Sequence, residues 1–396
     1  MSARQNGGLD RVVAIAATHA EAVDSEGRFP NEAIEALREE GLLGAMVPVA
    51  LGGQGATLAL LVGDCQRLAG ACASTAMVFA MHQIQVACIL AHGLDQDWYR
   101  ALARLIATDQ LLLASITSEV GIGGDMRSSL CALDVVGDRF TLTKQAPTVS
   151  YGAYADLFLI TARTDVAAPR SSQVLVTVPS SDCAMTPTGS WNSLGMRGTC
   201  STGFECIASG AINQVLTTPF ADIAAETMTP TSHLLWGGVW TGIAVAAVAR
   251  ARKFLRAQAR RHPGVPLPGG ARLMHAIGLL DSMQARLAVL IRDYDASHAL
   301  GSDRSVVSDE LAGWPTGIAR ATTLNMLKHD VSEMCHQAVL QSMLICGMAG
   351  YKNDTDFSVG RHLRDVLSAQ LMINNDRIAA NTGALLLAQR SELGRL

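Results

Sequence analysis

A glycine-rich loop, Glu119-Val-Gly-Ile-Gly-Gly-Asp125, has residue types that suit ligand binding. Its three glycines let backbone N–H groups approach a ligand without obstruction by side chains. The loop follows Leu111-Leu-Leu-Ala-Ser-Ile-Thr-Ser118, an apolar run typical of a strand. Asp125 can cap the segment that comes next. The pattern indicates either a binding loop or a tight connection before the next strand, and these residues alone leave both interpretations open.

Two titratable residues in the C-terminal half are candidate acids or bases. His233 stands beside Leu-Leu-Trp, and histidine exchanges protons near neutral pH. Asp376 precedes Arg377, with which it can form a local ion pair or cap. A buried histidine that simply has a hydrogen-bond partner is the alternative interpretation of His233. The nine cysteines contain no C-x-x-C, so we expect no metal site, no disulfide framework and a reduced, cytoplasmic location.

The composition excludes several kinds of partner. Lys and Arg number 31 and Asp and Glu 35, without a basic block, so we expect no nucleic-acid binding. Charged residues make up only 17% of the chain, which predicts that some surface is buried in a homodimer or homotetramer. We expect no membrane span. The uncharged stretch 68–94 is interrupted by polar residues, and 234–249 is shorter than the roughly 18–20 residues that a span needs.

Three blocks follow one another along the chain. Helical periodicity dominates 1–112, short apolar or alternating runs separated by turn residues dominate 113–222, and helical periodicity returns in 223–396. Gly137-Asp138 predicts a hairpin between two of the strands. This order differs from the strand–helix alternation of doubly wound nucleotide-binding folds, and the chain has no G-x-G-x-x-G and no Walker A motif. The helices predicted for the last block are 234–259, 271–296, 317–348 and 361–390.

The motifs of the middle block together resemble the acyl-CoA dehydrogenase family of flavoproteins. Ser118-Glu-Val-Gly-Ile-Gly-Gly-Asp125 is similar to the family's T-E-P-G-A-G-S-D loop. The segment 144–156, which ends Gly152-Ala-Tyr-Ala-Asp156, is similar to its K-x-W-I-T-N-G-G-Y-A-D. Leu194-Gly-Met-Arg-Gly-Thr199 matches L-G-M-R-G-T, the most specific of these motifs. In the last block, Cys346-Gly-Met-Ala-Gly-Tyr351 resembles the family's F-G-G-N-G-Y, and the similarity covers roughly residues 9–390.

The resemblance implies an α+β multidomain fold: an N-terminal α-helical domain (1–112), a middle β-sandwich or barrel domain (113–222) and a C-terminal four-helix bundle (223–396). It also implies an FAD cofactor between the middle domain and the bundle. Gly124 stands where the family has a serine that contacts the substrate. The flavin contacts that it implies are Ser115, Thr117, Ser118, Gly121, Thr148, Val149, Ser150, Leu344 and Gly347.

The chain departs from the family where the family removes a proton. Counting from Arg364-Asp365 places Ile373 at the position of the usual catalytic glutamate, and isoleucine accepts no proton. Ser232 stands near the family's alternative glutamate position, and His233 replaces a substrate-binding arginine. Asp376, three residues after Ile373, and His233 are therefore the candidate bases.

Three functions remain open from the sequence. The first is an FAD-dependent oxidoreductase that acts on the CH–CH group of an acyl thioester with an atypical base and an electron-transfer partner. The second is a two-component flavin-dependent monooxygenase, supplied by a flavin reductase, that hydroxylates a small aromatic or amine and needs no glutamate at residue 373. The third is a non-catalytic scaffold subunit, because a fold alone does not fix a function.

Overall fold

The computed structural model describes residues 6–299 and 314–388. Its N-terminal part is helical. α2 begins directly after Phe29-Pro30 and ends before Gly41, whose φ of +67° is unsuited to continuing a helix. Both ends agree with the start and stop residues in the sequence. The five helices are α1 (Asn6–Glu26), α2 (Asn31–Glu39), α3 (Leu58–Ala71), α4 (Ala73–His92) and α5 (Asp97–Thr108).

Seven strands follow and form two sheets. One sheet has the order β1-β4-β5, with β1 parallel to β4, and the other is an antiparallel sheet of order β2-β3-β7-β6. Gly137, at φ +64°, and Asp138 make the predicted hairpin turn between β2 and β3. The strands are β1 (Leu113–Ile116), β2 (Asp134–Val136), β3 (Arg139–Ala146), β4 (Leu157–Arg163), β5 (Gln173–Pro179), β6 (Cys183–Pro187) and β7 (Phe204–Ala211).

The C-terminal part is helical again. A short helix and a π-helical turn, Ala224–Met228, lead into the long helix α7. The sequence predicts one helix over 361–390, whereas residues 360–388 form three. The last break occurs because Ile373 and Asn374 adopt positive φ values that end a helix. Residues 389–390 of that prediction lie outside the described residues. The helices are α6 (Phe220–Ile223), α7 (Thr229–Arg261), α8 (Gly270–Ala299), α9 (Gly317–Cys346), α10 (Met348–Tyr351), α11 (Gly360–Val366), α12 (Ser368–Leu371) and α13 (Asn375–Ala388).

The order of helices, two β-sheets and long C-terminal helices confirms the expected α+β architecture. The described residues divide into two compact units, taken separately below. The first unit lies within Met1–Thr57, Ser74–Ser193 and Arg197–Ser232 and holds both sheets. The second lies within Leu58–Ala73, Leu194–Met196 and His233–Leu396. In the second unit α8 and α13 pack on α9, and α3 packs on α8.

Among the described residues, three helices are long and apolar enough to cross a membrane by length and composition. They cover Ala73–His92, Phe220–Arg261 and Gly270–His298. The most apolar part of the first is 89% buried inside the protein and that of the second 78%, as expected for core helices. The corresponding part of α8 is only 28% buried, so this helix presents an apolar surface outward.

Candidate functional site

The glycine-rich loop of the first unit is anchored by Glu119, whose carboxylate is buried. Its oxygens accept hydrogen bonds from Ser129 Oγ at 2.8 Å and from the backbone N–H groups of Leu130 at 3.1 Å and Cys131 at 2.6 Å. The Nζ atom of Lys144 lies 3.7 Å from Glu119 Oε2. Burial lowers the pKa of Lys144, and Glu119 opposes that shift. One buried carboxylate therefore ties the start of the loop to residues 129–131, which follow its end.

Between Glu119 and residues 129–131 the loop exposes backbone. Gly121 has a φ of +89°, and a Cβ there would meet Leu130 Cδ1 at 3.1 Å, so only glycine fits without a shift. Gly124, at the position of the family's substrate-contacting serine, is exposed and has a φ of +77°. Asp125 Oδ1 accepts the N–H of Arg127 at 3.1 Å, which confirms the expected capping role. The loop thus presents peptide groups, with little side-chain cover, to a neighbouring ligand.

Hydroxyl groups from two predicted flavin-binding segments come together in the first unit. Ser118 Oγ donates to the carbonyl oxygen of Thr148 at 2.7 Å. Ser115 Oγ lies 3.4 Å from Thr117 Oγ1. The two residues are two positions apart, so an extended chain directs their side chains to the same face. These four residues are half-buried or exposed, so their polar atoms border a surface that a ligand can reach. The structure therefore joins the segment 115–118 to the start of 148–150.

The segment 148–150 also contributes to a chain of hydroxyl groups that the sequence motifs do not reveal. Ser150 Oγ lies 2.8 Å from Ser201 Oγ, which lies 2.8 Å from Thr199 Oγ1. Ser201 is outside every motif quoted above, and only its place just after L-G-M-R-G-T could have indicated it. Val149 has a different role: its side chain is fully buried, and its N–H is donated to the carbonyl of Thr202 at 2.8 Å.

Two further predicted flavin contacts lie at the end of α9 in the second unit. Leu344 is exposed in the last turn of the helix. Gly347 ends the helix at a φ of +55°, and its N–H is donated to the carbonyl of Met343 at 2.9 Å. Both residues are therefore available on the surface of this unit.

The turn at the expected base position contains no proton acceptor. Ile373 has a φ of +53° and Asn374 a φ of +32°, so two successive non-glycine residues adopt the left-handed region. Asn374 Oδ1 accepts the N–H groups of Asp376 at 3.0 Å and Arg377 at 3.3 Å, which caps α13. Asp376 itself is exposed in the first turn of α13. A carboxylate at the start of a helix is favoured by the helix dipole and needs no catalytic explanation.

A buried polar network joins α9 to the residues on both sides of this turn. Glu333 Oε1 on α9 accepts Gln370 Nε2 at 3.0 Å and Asn375 Nδ2 at 3.2 Å, so one carboxylate oxygen joins residues on both sides of the turn. Asn375 also donates to Ser332 Oγ at 2.9 Å and accepts from Lys328 Nζ at 2.6 Å. Burial lowers the pKa of Lys328 to about 8. A simple helical pattern predicts apolar side chains at buried positions such as these. Sequence analysis therefore did not predict the network.

The other base candidate begins an aromatic row on α7. His233 is 2% exposed, its ring lies 6.3 Å from that of Trp236, and Trp236 lies 6.2 Å from Trp240. Lys328 Nζ lies 5.7 Å from the Trp240 ring centroid. Within the part of the chain that the structure describes, the indole N–H groups of Trp236 and Trp240 are buried and have no hydrogen-bond partner. At the neighbouring position Ser232 Oγ donates back to the carbonyl of Met228 at 2.5 Å.

These residues fit a flavin in their chemistry. A flavin has a polar edge rich in acceptors and donors and an apolar ring edge, and the first unit offers a border of hydroxyls beside a loop of accessible peptide groups. Over residues 6–299 and 314–388, no group of three or more His, Cys, Asp or Glu side chains is placed to hold a metal ion. The hydroxyls and peptide groups of the first unit suit an organic cofactor bound by neutral hydrogen bonds.

Comparisons with known proteins agree with the motifs. Residues 10–109 match the family described as "Acyl-CoA dehydrogenase, N-terminal domain". The amino sugar nitrososynthase DnmZ of Streptomyces peucetius is 26% identical over 364 residues, 88% of this chain and 84% of DnmZ. A cyclohex-1-ene-1-carbonyl-CoA dehydrogenase of Syntrophus aciditrophicus is 26% identical over 143 residues, 36% of this chain and 34% of that enzyme. That match spans only about a third of the dehydrogenase, which limits it to part of the molecule.

The fold has equally extensive counterparts among solved structures. The FMN-bound crystal structure of TdsC from Paenibacillus sp. A11-2 superposes with a TM-score of 0.81 at 19% identity, over 97% of this chain and 98% of TdsC. The chain therefore has the acyl-CoA dehydrogenase fold, and its resemblance to this family of flavoproteins is confirmed. Other relatives are named probable acyl-CoA dehydrogenase and dibenzothiophene monooxygenase, so the fold is shared by more than one activity.

Proposed function

We propose that the protein is a flavin-dependent monooxygenase with the acyl-CoA dehydrogenase fold, which oxygenates a small aromatic or amine substrate. The observation that carries this proposal is the turn at Ile373. A desaturase of this fold needs a base beside the substrate's α-carbon, and general-base help contributes about 10²–10⁴ in rate. A monooxygenase needs no carboxylate there.

Neither position at which the resemblance places a glutamate supplies one. Ile373 is apolar, and its turn is held in a left-handed conformation by the network below it. Ser232 uses its hydroxyl to bond the preceding helical turn. Asp376 faces solvent at the start of α13. The remaining candidate is His233, a buried imidazole on α7 that can hold or deliver a proton to a substrate atom.

We propose FAD as the cofactor. When bound and reduced, it would supply the two electrons needed to place one oxygen atom of O₂ in the product and release the other as water. In the first unit the residues that would hold it are Ser115, Thr117, Ser118, Thr148 and Ser150 through their hydroxyls, buried Val149, and Gly121 through its exposed backbone. The family resemblance also implies flavin contacts at Leu344 and Gly347, which are exposed on the second unit. Gly124 leaves space on the substrate side, since it has no side chain.

The substrate class follows from the row His233, Trp236 and Trp240. Aromatic rings prefer to pack against other rings in offset or edge-to-face geometry, so this row favours a planar apolar substrate. The two unpartnered indole N–H groups are donors for an acceptor atom on such a molecule. An acyl thioester remains the substrate in the competing dehydrogenase proposal, with Asp376 or His233 as its base.

The partners in this proposal are a flavin reductase and further copies of the chain. We propose a cytoplasmic homodimer or homotetramer without nucleic-acid or membrane partners. The nine cysteines, all within the described residues, form no disulfide, which suits a reducing compartment. The outward apolar surface of α8 supports association with another copy. We also propose that the chain is divided into three domains, 1–112, 113–222 and 223–396.

The test separates the two reactions by their electron source. The purified protein receives FAD and is exposed either anaerobically to straight-chain acyl-CoA or aerobically to a reductase, NADH and a panel of aromatic and amine substrates. We expect the flavin absorbance to persist with acyl-CoA, and product formation to require both O₂ and the reductase. Fast anaerobic bleaching by an acyl-CoA would contradict the proposal and favour the dehydrogenase.

A pair of variants tests whether the missing base at residue 373 accounts for the difference between the two reactions. Ile373→Glu installs the missing base, and Leu371→Glu adds the same charge on a nearby exposed position. If the pocket still accepts thioesters, Ile373→Glu should raise acyl-CoA desaturation and Leu371→Glu should not. In the competing proposal, Asp376→Asn or His233→Gln abolishes a wild-type desaturase activity. A wild-type protein that binds no flavin at all would favour a scaffold subunit.

A further inference from the structure

Two cysteines in the four-stranded sheet lie in contact. The sulfur atoms of Cys183 and Cys206 are 3.0 Å apart. Cys183 opens β6 and pairs in register with Ala208 of β7, so Cys206 is its diagonal neighbour on the same face of the sheet. Both side chains are buried, Cys206 completely and Cys183 at 9% exposure. Because β6 has a neighbour only on one side, Cys183 lies at the edge of the sheet.

A buried ammonium stands in the next strand of the same row. Lys144 on β3 is the direct register partner of Cys206, so Lys144, Cys206 and Cys183 follow one another across β3, β7 and β6. Lys144 Nζ donates to the carbonyl and the hydroxyl of Thr161, both at 2.7 Å. A nearby cation favours the thiolate form of cysteine, which is the reactive form. Cys183 is the more exposed of the two thiols and lies on the edge strand, and its hydrogen bond with Cys206 lowers its pKa. These features make Cys183 the nucleophile of the pair, while the charge of Lys144 acts on Cys206.

We propose that Cys183 and Cys206 are a redox-active thiol pair that forms a disulfide with hydrogen peroxide. The Cys183 thiolate attacks one peroxide oxygen, the O–O bond breaks, and the departing hydroxide takes up a proton to become water. The sulfenic acid on Cys183 is then attacked by the Cys206 sulfur, which forms the S–S bond and releases a second water. Two thiols are oxidised by two electrons, and one peroxide is reduced to two waters. The pair is independent of the proposed monooxygenase function.

The bond would close a particular part of the chain. β6 and β7 flank the excursion 188–203, which carries Leu194-Gly-Met-Arg-Gly-Thr199, and Thr188 N–H already donates to the carbonyl of Gly203 at 2.8 Å at its base. A covalent link between Cys183 and Cys206 reduces the freedom of the open chain more than that of the folded one. The oxidised protein should therefore open less readily at the edge strand and around this excursion.

The experiment uses the full-length protein before and after treatment with hydrogen peroxide. All thiols that remain free are then alkylated in denaturant, and non-reduced peptides are mapped by mass spectrometry. We expect the number of free thiols to fall by two and one cross-linked peptide to contain residues 183 and 206, with reversal by dithiothreitol. Cys200→Ser is the matched control, because Cys200 lies in the same excursion and its sulfur contacts the backbone carbonyls of Gly27 and Arg197. It should leave the cross-link unchanged.

Hydrogen exchange of the oxidised and the reduced wild-type protein gives a second readout. Amides of β6 and 188–203 should exchange several-fold more slowly in the oxidised wild-type protein than in the reduced one. Cys206→Ala should abolish both the cross-link and the difference. The proposal is overturned if all nine thiols remain free after peroxide, if the cross-link joins other cysteines, or if Cys183 is converted only to sulfinic or sulfonic acid.

Discussion

Ser118 shows how one hydroxyl can matter to a cofactor without lying in a strong motif. Its Oγ donates to the carbonyl of Thr148 and so joins two segments that the family resemblance assigns to the flavin. Leaving a buried polar atom unpaired costs about 1–3 kcal/mol, and a bound flavin would bury this border of hydroxyls. Ser118→Ala should therefore weaken flavin binding by about 1–2 kcal/mol, or about 5- to 30-fold.

A flavin titration followed by fluorescence measures this effect. Thr143→Ala removes an exposed hydroxyl from the outer face of β3 and should leave the affinity unchanged. Equal affinities for Ser118→Ala and the wild type would show that the hydroxyl border has been assigned to the wrong ligand. The titration is run with FAD and with FMN, so that a preference between them is measured at the same time.

Lys328 should make the free energy of unfolding depend on pH, and a substitution at this residue separates its contribution from those of other groups. Its pKa is lowered from 10.5 to about 8, chiefly by burial, against the attraction of Glu333. Between these two values the unfolded chain binds more protons than the folded one, so this residue's contribution to stability rises with pH from about 8 to about 10.5. Below pH 8 the folded protein bears the whole cost of a buried ammonium, about 3 kcal/mol.

The measurement compares urea unfolding of the wild type and Lys328→Met at pH 7 and pH 10. Relative to the variant, the wild type should gain about 2 kcal/mol over this interval, because only the wild type titrates at this position. Lys352→Met changes an exposed lysine and should show no such gain. A wild-type-to-variant difference that is the same at both pH values would contradict the buried ammonium.

Some residues could be predicted from sequence alone, and others could not. Strict alternation in β3 puts Lys144 in phase with Phe140 and Leu142, so its burial can be read from the pattern. The partner of its charge, Glu119, lies 25 positions earlier, and only the fold brings the two together. The same limit applies to Glu333, whose partners Gln370 and Asn375 come from a turn that helical periodicity does not show.

At the scale of elements, the turn between α12 and α13 has two successive non-glycine residues at positive φ. The left-handed region costs a residue with a Cβ roughly 1–2 kcal/mol, and Ile373 is also β-branched. Such conformations persist where surrounding contacts impose them and occur often at functional sites. The sequence register placed Ile373 at the base position but could not indicate this backbone strain, because isoleucine is normally typical of strands and helices.

Ile373→Gly should therefore stabilise the protein, by about 1 kcal/mol, because glycine adopts a positive φ without cost. Leu371→Gly, two residues earlier and at the end of α12, should destabilise it by about 0.5–1 kcal/mol, since there glycine only adds freedom to the unfolded chain. Chemical denaturation of both variants measures the contrast. If both substitutions destabilise the protein equally, the strain at residue 373 is absent.

At the scale of the whole molecule, surface composition and helix burial lead to the same expectation. The low charge content of the sequence predicts buried surface between copies, and the structure locates outward apolar residues on α8, among them Met274 at 73% and Val289 at 46% exposure. The sequence could predict that such a surface exists. It could not identify α8, because three helices among the described residues are long and apolar enough to be candidates and burial is what distinguishes them.

We therefore expect the wild type to be a dimer or tetramer that α8 holds together, and Met274→Glu to shift it to a smaller species. A charge placed in an apolar interface has to be desolvated without a partner, which typically costs several kcal/mol and outweighs the area that the residue contributes. Val136→Glu introduces the same charge at an equally exposed apolar residue on β2 and should leave the assembly intact. Light scattering coupled to size-exclusion chromatography gives the mass of each variant. A monomeric wild type, or a Val136→Glu variant that dissociates while Met274→Glu does not, would place the contact elsewhere or remove it.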